Sequence, residues 1–187
     1  MNPRFVITGG PGAGKTTLLK ALARRGCRCV PESARAIIQA RKAAGLSPRP
    51  SLEQFGWDIL QVDIEQYQSL LSATMPIFFD RGIVDALGML EQRRQLSARE
   101  LERFLRQYPY HPLAFVAPPW SDIFCQDDER DQTFDEALEI DRSLRQWYEH
   151  CGYDLLELPM TSVTARVDFV LSHAKWALTR GGKKPQR

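Results

Sequence analysis

Side chains that form metal sites and disulfides are scarce, with four cysteines and three histidines in 187 residues. Cys27, Cys29, Cys125 and Cys151 contain no C-x-x-C pair, and a single adjacent histidine, His150 beside Cys151, makes no ligand spacing, so a zinc site or disulfide framework is not expected and reduced, packed thiols are. His111, His150 and His173 are scattered, and none has a motif around it. No apolar run approaches the ~20 residues needed to cross a bilayer. An apolar run follows "MNP" almost at once, leaving no room for a secretion signal, so a cytoplasmic location is expected. Neither sign of charge is in excess: 25 Lys and Arg against 23 Asp and Glu give a net charge of +2, which demands neither nucleic acid nor an anionic membrane. Internal repeats are missing too, and the length suits one α/β domain with a good core rather than two domains.

What is present is concentrated in "GGPGAGKT". Gly9, Gly14, Lys15 and Thr16 have the G-x-x-x-x-G-K-T spacing of a phosphate-binding loop, whose inward-pointing backbone N–H groups hold an anion. Gly10, Pro11, Gly12, Ala13, Gly14, Lys15, Thr16 and Thr17 are the expected nucleotide contacts, with Lys15 on the outer phosphates and the Thr16 hydroxyl on Mg²⁺. "RFVIT" before the loop reads as a buried strand and "KTTLLKALARRG" after it as a helix ending at Gly26, so the helix dipole also favours phosphate. A dinucleotide fingerprint is excluded, because Lys15 stands where that motif needs its third glycine.

Strand candidates alternate with helical stretches: Arg4 to Thr8, Arg28 to Val30, Pro76 to Phe79, Leu113 to Ala117 and Asp154 to Leu158. The pattern predicts an α/β fold with a five-stranded, mainly parallel sheet between helical layers, the three-layer sandwich of a P-loop NTPase. Ser51 with Gln54, Ser97 with Glu100 and Thr133 with Glu136 have capping-box spacing, and Gly45, Gly152 and Gly181 follow helical runs. Residues 1–180 are expected to form the domain, with a lid near residues 118–132 and a basic tail at 181–187.

Ligands of such sheets sit beyond the carboxyl ends of the strands, which selects further residues. Asp80 suits the acid that holds Mg²⁺, or else caps the next helix. Arg81 suits a clamp on substrate phosphate or carboxylate, or else pairs with Glu32 or Asp85. Glu32 is placed to act as general base on an acceptor hydroxyl, or is the first-turn carboxylate of a helix through Ala34 to Ala44, with Arg35 one turn on. Arg130, in the charged stretch after "APPW", closes over the phosphates as a lid residue or pairs with a neighbouring aspartate. The loop from Pro159 to Ser162 is where a nucleotide base would lie by position.

"ITGGPGAGKTTLLKAL", "VPESARAII", "FFDRG", "FVAPPW" and "ERDQTFDEAL", in that order, resemble the NadR-like AAA-domain ATPases, small P-loop proteins named for a nicotinamide-riboside kinase domain. The likeness runs from Arg4 to about Lys175, and its Pro-Glu-Ser-Ala-Arg, Asp-Arg-Gly and Pro-Pro-Trp blocks are more distinctive than the phosphate loop. The resemblance implies a nucleoside-kinase-like fold, with Lys15 and Thr16 on nucleotide and Mg²⁺, Asp80 as the strand-end acid and Arg130 in the lid. It supplies no substrate.

Two functions follow. One is ATP- and Mg²⁺-dependent transfer of the γ-phosphate to a small metabolite, with Lys15, Glu32, Asp80 and Arg130 as the catalytic set, Glu32, Arg35 and Arg81 on the acceptor, and Thr16 and Asp80 on the metal. The other is a nucleotide-dependent switch or slow ATPase acting through a partner or lipid. A Ras-type guanine reader is disfavoured, because its Asn-Lys-x-Asp element needs an asparagine and Asn2 is the only one present. The partners expected are a nucleoside triphosphate and a small acceptor, without nucleic acid.

Overall fold

The computed structural model describes residues 2–48, 50–124 and 132–180. Among the described residues thirteen elements follow one another: β1(Arg4–Thr8), α1(Lys15–Arg24), β2(Arg28–Val30), α2(Ser33–Ala43), α3(Leu52–Gln68), β3(Ile77–Asp80), α4(Ile83–Glu91), α5(Ala98–Gln107), β4(Leu113–Val116), a 3₁₀ turn (Ser121–Ile123), α6(Phe134–His150), β5(Asp154–Glu157) and α7(Val163–Arg180). They divide into two compact units, the first from Met1–Val30, Ala73–Asp80 and Tyr110–Arg187, the second from Pro31–Ser72 and Arg81–Pro109.

The first unit holds a five-stranded sheet in the order β2-β3-β1-β4-β5. Every neighbouring pair is parallel. β1, β3 and β4 are buried almost throughout and apolar except for Arg4, Thr8 and Asp80 at their ends, because parallel strands covered on both faces have no solvent side. Phe5, Ile7, Phe78 and Phe115 meet Leu18, Leu19 and Leu22 of α1 and Val167, Val170, Ala174 and Ala177 of α7 in one core. Each large side chain buried there contributes roughly 1.5–3 kcal/mol relative to exposure. The chain leaves β1 toward one edge and β4 toward the other, so the order reverses between these two adjacent strands. That reversal is where an open parallel sheet forms its crevice.

The strands follow the expected pattern with small shifts of boundary. Asp80 is the last residue of β3 rather than the first after it, because pairing with β1 extends through Ile7↔Asp80. Cys27 and Cys29 are half-buried and pack against the core without belonging to it. Burial pushes the Cys29 thiol up to about 12, with the neighbouring Cys27 and Asp80 adding to the effect, so it is an unreactive thiol.

The second unit consists of α2, α3, α4 and α5. α3 buries Phe55, Ile59, Asp63 and Tyr67, spaced four apart along one stripe. A Cβ at Gly56 would stand 2.9 Å from Leu90 Cδ2, so the bare backbone lets α3 and α4 pack closely. α5 opens with a complete capping box, Ser97 and Glu100 satisfying each other's backbone N–H groups.

Candidate functional site

Between the end of β1 and the start of α1 the chain turns through Gly9 to Gly14. Gly9 has a φ of 134°, and a Cβ there would stand 2.3 Å from the carbonyl oxygen of Ala117, so only glycine fits this junction. Gly14, at φ 76°, hands the chain to α1 and its carbonyl accepts from Leu18 N at 3.1 Å. Lys15 is 5% exposed, and its Nζ donates to the carbonyls of Gly9 (3.0 Å) and Gly10 (2.8 Å). Loop residues 12–17 line a cavity of about 360 Å³ whose other walls are Trp120, Ile123, Thr161, Ser162, Val163 and Arg166. Thr161 and Ser162 belong to the loop expected by position to meet a base.

Thr16 Oγ1 stands 3.4 Å from Asp80 Oδ2. Among the described residues no group of three or more His, Cys, Asp or Glu side chains is placed to hold a metal. The Thr16 hydroxyl and Asp80 carboxylate are hard oxygen donors side by side, a set that fits Mg²⁺ sharing its remaining positions with phosphate and water.

A separate constellation lies in the second unit. Glu32 occupies the N-cap position of α2. Its Oε1 accepts from Arg81 Nε at 3.1 Å, while Arg81 Nη1 donates to Asp85 Oδ1, also at 3.1 Å. Both readings of Arg81 had weight in the sequence; the pairing with Glu32 and with Asp85 is what forms. Arg81 does this from a left-handed backbone, φ 64°, which non-glycine residues adopt at a cost. Behind it, Ser33 Oγ donates to the buried carboxyl of Asp63. Burial pushes Asp63 up to about 7, opposed by the Ser33 hydrogen bond and helped by Asp85 and Glu32. Arg35 is half-buried on α2.

The structure thus brings Thr16 to Asp80, Lys15 onto its own loop, and Glu32 to Arg81. Arg130 lies outside the described residues, as do residues 125–131 of the expected lid. Phe124, within the expected lid, packs onto the loop: a Cβ at Gly12 would stand 2.4 Å from Phe124 Cδ2, and the Phe124 ring meets Phe134 edge-on at 5.3 Å. Arg166, Asp63 and Ser33 escaped the sequence reading. For the first two the signal was an ionisable residue in the apolar phase of a helix, Asp63 on the Phe55–Ile59–Tyr67 stripe and Arg166 four residues before Val170; Ser33 carried none.

A parallel sheet with a phosphate loop after its first strand, and an acid ending the strand beside it, defines a P-loop kinase fold. The chain belongs to the family described as AAA domain, which it matches over residues 4–166. Fold and family make it a P-loop phosphotransferase or ATPase. Its fold is similar to that of deoxyadenosine kinase from M. mycoides, at a TM-score of 0.64 and 12% identity over 92% of this chain and 99% of that one. It is also similar to shikimate kinase from Aquifex aeolicus (TM-score 0.53, 14% identity, 96% and 99% covered). A third likeness is to the YorR protein of Bacillus subtilis, solved with phosphorylated GDP (TM-score 0.60, 9% identity, 95% and 98% covered). No curated protein matches the sequence. Among the described residues no helix is long and apolar enough to cross a membrane.

Proposed function

We propose that the protein is a kinase of the cytoplasm that moves the γ-phosphate of ATP onto a hydroxyl of a small metabolite. The observation that carries this reading is the Glu32 carboxylate, fixed by Arg81 Nε at 3.1 Å two residues past the end of β2. Water attack in a switch protein needs no such base, whereas a hydroxyl acceptor gains from one that is oriented in advance. The likeness to deoxyadenosine kinase and shikimate kinase supports it, since both are named for transfer to a small molecule.

In this reading Lys15 turns from the loop carbonyls to the outer phosphates, and the loop N–H groups hold the remaining charge. Thr16 and Asp80 hold Mg²⁺, which when bound neutralises phosphate charge. Glu32 orients the acceptor hydroxyl and takes its proton as the new P–O bond forms and the bond to ADP breaks. Arg81 holds Glu32 in place, Arg35 contacts the acceptor, and Arg130 neutralises charge that spreads during transfer.

The test incubates ATP labelled at the γ-phosphate and Mg²⁺ with pooled nucleosides, nucleotides, vitamins and sugar phosphates. Wild-type protein should move label into a new small molecule, Lys15→Ala should lose it, and Glu32→Gln should slow transfer by roughly 10²- to 10⁴-fold while still binding ATP. Label recovered only as inorganic phosphate would make the protein a hydrolytic switch instead.

A further inference from the structure

Arg166 stands at the start of α7, more than 150 positions along the chain from the loop it touches. It is 3% exposed, among the most buried charged side chains of the described residues. Its Nη2 donates to the carbonyl of Ala13 at 3.2 Å, and its Nη1 would lie 3.0 Å from a Cβ placed on Gly14. The guanidinium is therefore pressed against the middle of the phosphate loop from the side of α7 and forms part of the cavity wall. Its Nε is buried with no hydrogen-bond partner, and among the described residues no carboxylate forms an ion pair with it. Two part-buried arginines elsewhere have carboxylate partners: Arg81 has Glu32 and Asp85, and Arg145 has Asp141 and Glu157.

A buried cation without a counter-charge is destabilising, and an arginine cannot escape by losing its proton. Packing alone would be served as well by methionine or leucine, which fill similar space without a desolvation penalty. What a charge adds at this place is attraction for an anion in the adjoining cavity, strengthened by the low dielectric around it. Ser162 Oγ accepts from Ala165 N at 3.3 Å and so caps the first turn of α7, fixing the backbone from which Arg166 projects.

We infer that Arg166 is a positioning residue of the nucleotide site: it holds the Ala13 carbonyl, and its buried charge finds its counter-ion in the phosphates of a nucleoside di- or triphosphate. This rests on the loop binding such a nucleotide, and not on whether phosphate is then transferred. The consequence is a pair of effects of opposite sign. Removing the charge relieves a penalty in the free protein and withdraws a stabilising interaction from the complex.

The experiment compares wild type, Arg166→Met, Arg166→Lys and Lys15→Ala by calorimetric titration with ADP and AMP and by melting without nucleotide. Arg166→Met should melt no lower than wild type yet bind ADP roughly 10- to 100-fold more weakly, the range of a hydrogen bond to a charged group. The loss should be smaller for AMP, and Arg166→Lys should recover part of it because the charge returns without the fork. Arg166→Met binding ADP within twofold of wild type, while Lys15→Ala does not, would overturn the inference and leave the nucleotide site intact. So would a fall of several degrees in the free protein with ADP and AMP weakened alike, which is the mark of a packing residue. Wild-type protein that binds neither nucleotide would overturn the nucleotide site and this inference together.

Discussion

Asp63 shows how one residue ties the interior of the second unit to pH. Its carboxyl is raised by burial from an ordinary 3.8 to about 7, so the folded chain keeps a proton that the unfolded chain releases. Stability from this group is therefore full below about pH 4 and is lost as pH rises through 7, each pKa unit being worth about 1.4 kcal/mol. Glu32 and Asp85 face the same carboxyl and resist its ionisation. Asp63→Asn mimics the protonated acid, so its melting temperature should gain on wild type as pH is raised from 5 to 8. Parallel curves for the two proteins would show that Asp63 ionises freely. At this scale the sequence was legible wherever function lies in consecutive residues, as in Gly9 to Thr16. It was not legible for Arg166, whose partners Ala13 and Gly14 come next to it only through packing of α7.

Helix starts were the best-marked elements, because a cap is a local bargain between residues three apart. Thr133 and Glu136 form the capping box at α6, with Thr133 N donating to Glu136 Oε2 at 2.7 Å. This cap also anchors the first turn near the phosphate loop, where a Cβ on Gly10 would stand 2.9 Å from the Ala137 carbonyl. Thr133→Ala should cost about 1 kcal/mol in a urea titration and weaken nucleotide binding, whereas Ser97→Ala on α5 should carry the same stability cost and leave nucleotide affinity unchanged. Equal effects of the two on affinity would mean that the start of α6 does not shape the loop. Strand ends were less legible than helix starts, since β3 runs on to Asp80 only because β1 lies alongside it.

For the molecule as a whole, alternation of strands and helices was enough to anticipate the parallel sheet. The division into two units was not visible, because the second is assembled from two stretches that leave the sheet where β2 and β3 end, at Pro31 and Arg81. Neither departure is marked by a linker composition. Nucleotide binding belongs to the sheet-bearing unit, so ADP at 100 times its dissociation constant should stabilise that unit by about 2.7 kcal/mol. In a chain of this size that raises the corresponding calorimetric transition by roughly 5–10 °C. An unmoved transition would place the binding loop outside the cooperative core. The left-handed backbone at Arg81 has a further meaning for anyone redesigning the chain. A procedure that ranks residues by backbone fit alone would write glycine at position 81 and gain conformational ease. It would thereby erase the side chain that pairs with both Glu32 and Asp85, so the best sequence for this backbone and the best sequence for its chemistry part company at that codon.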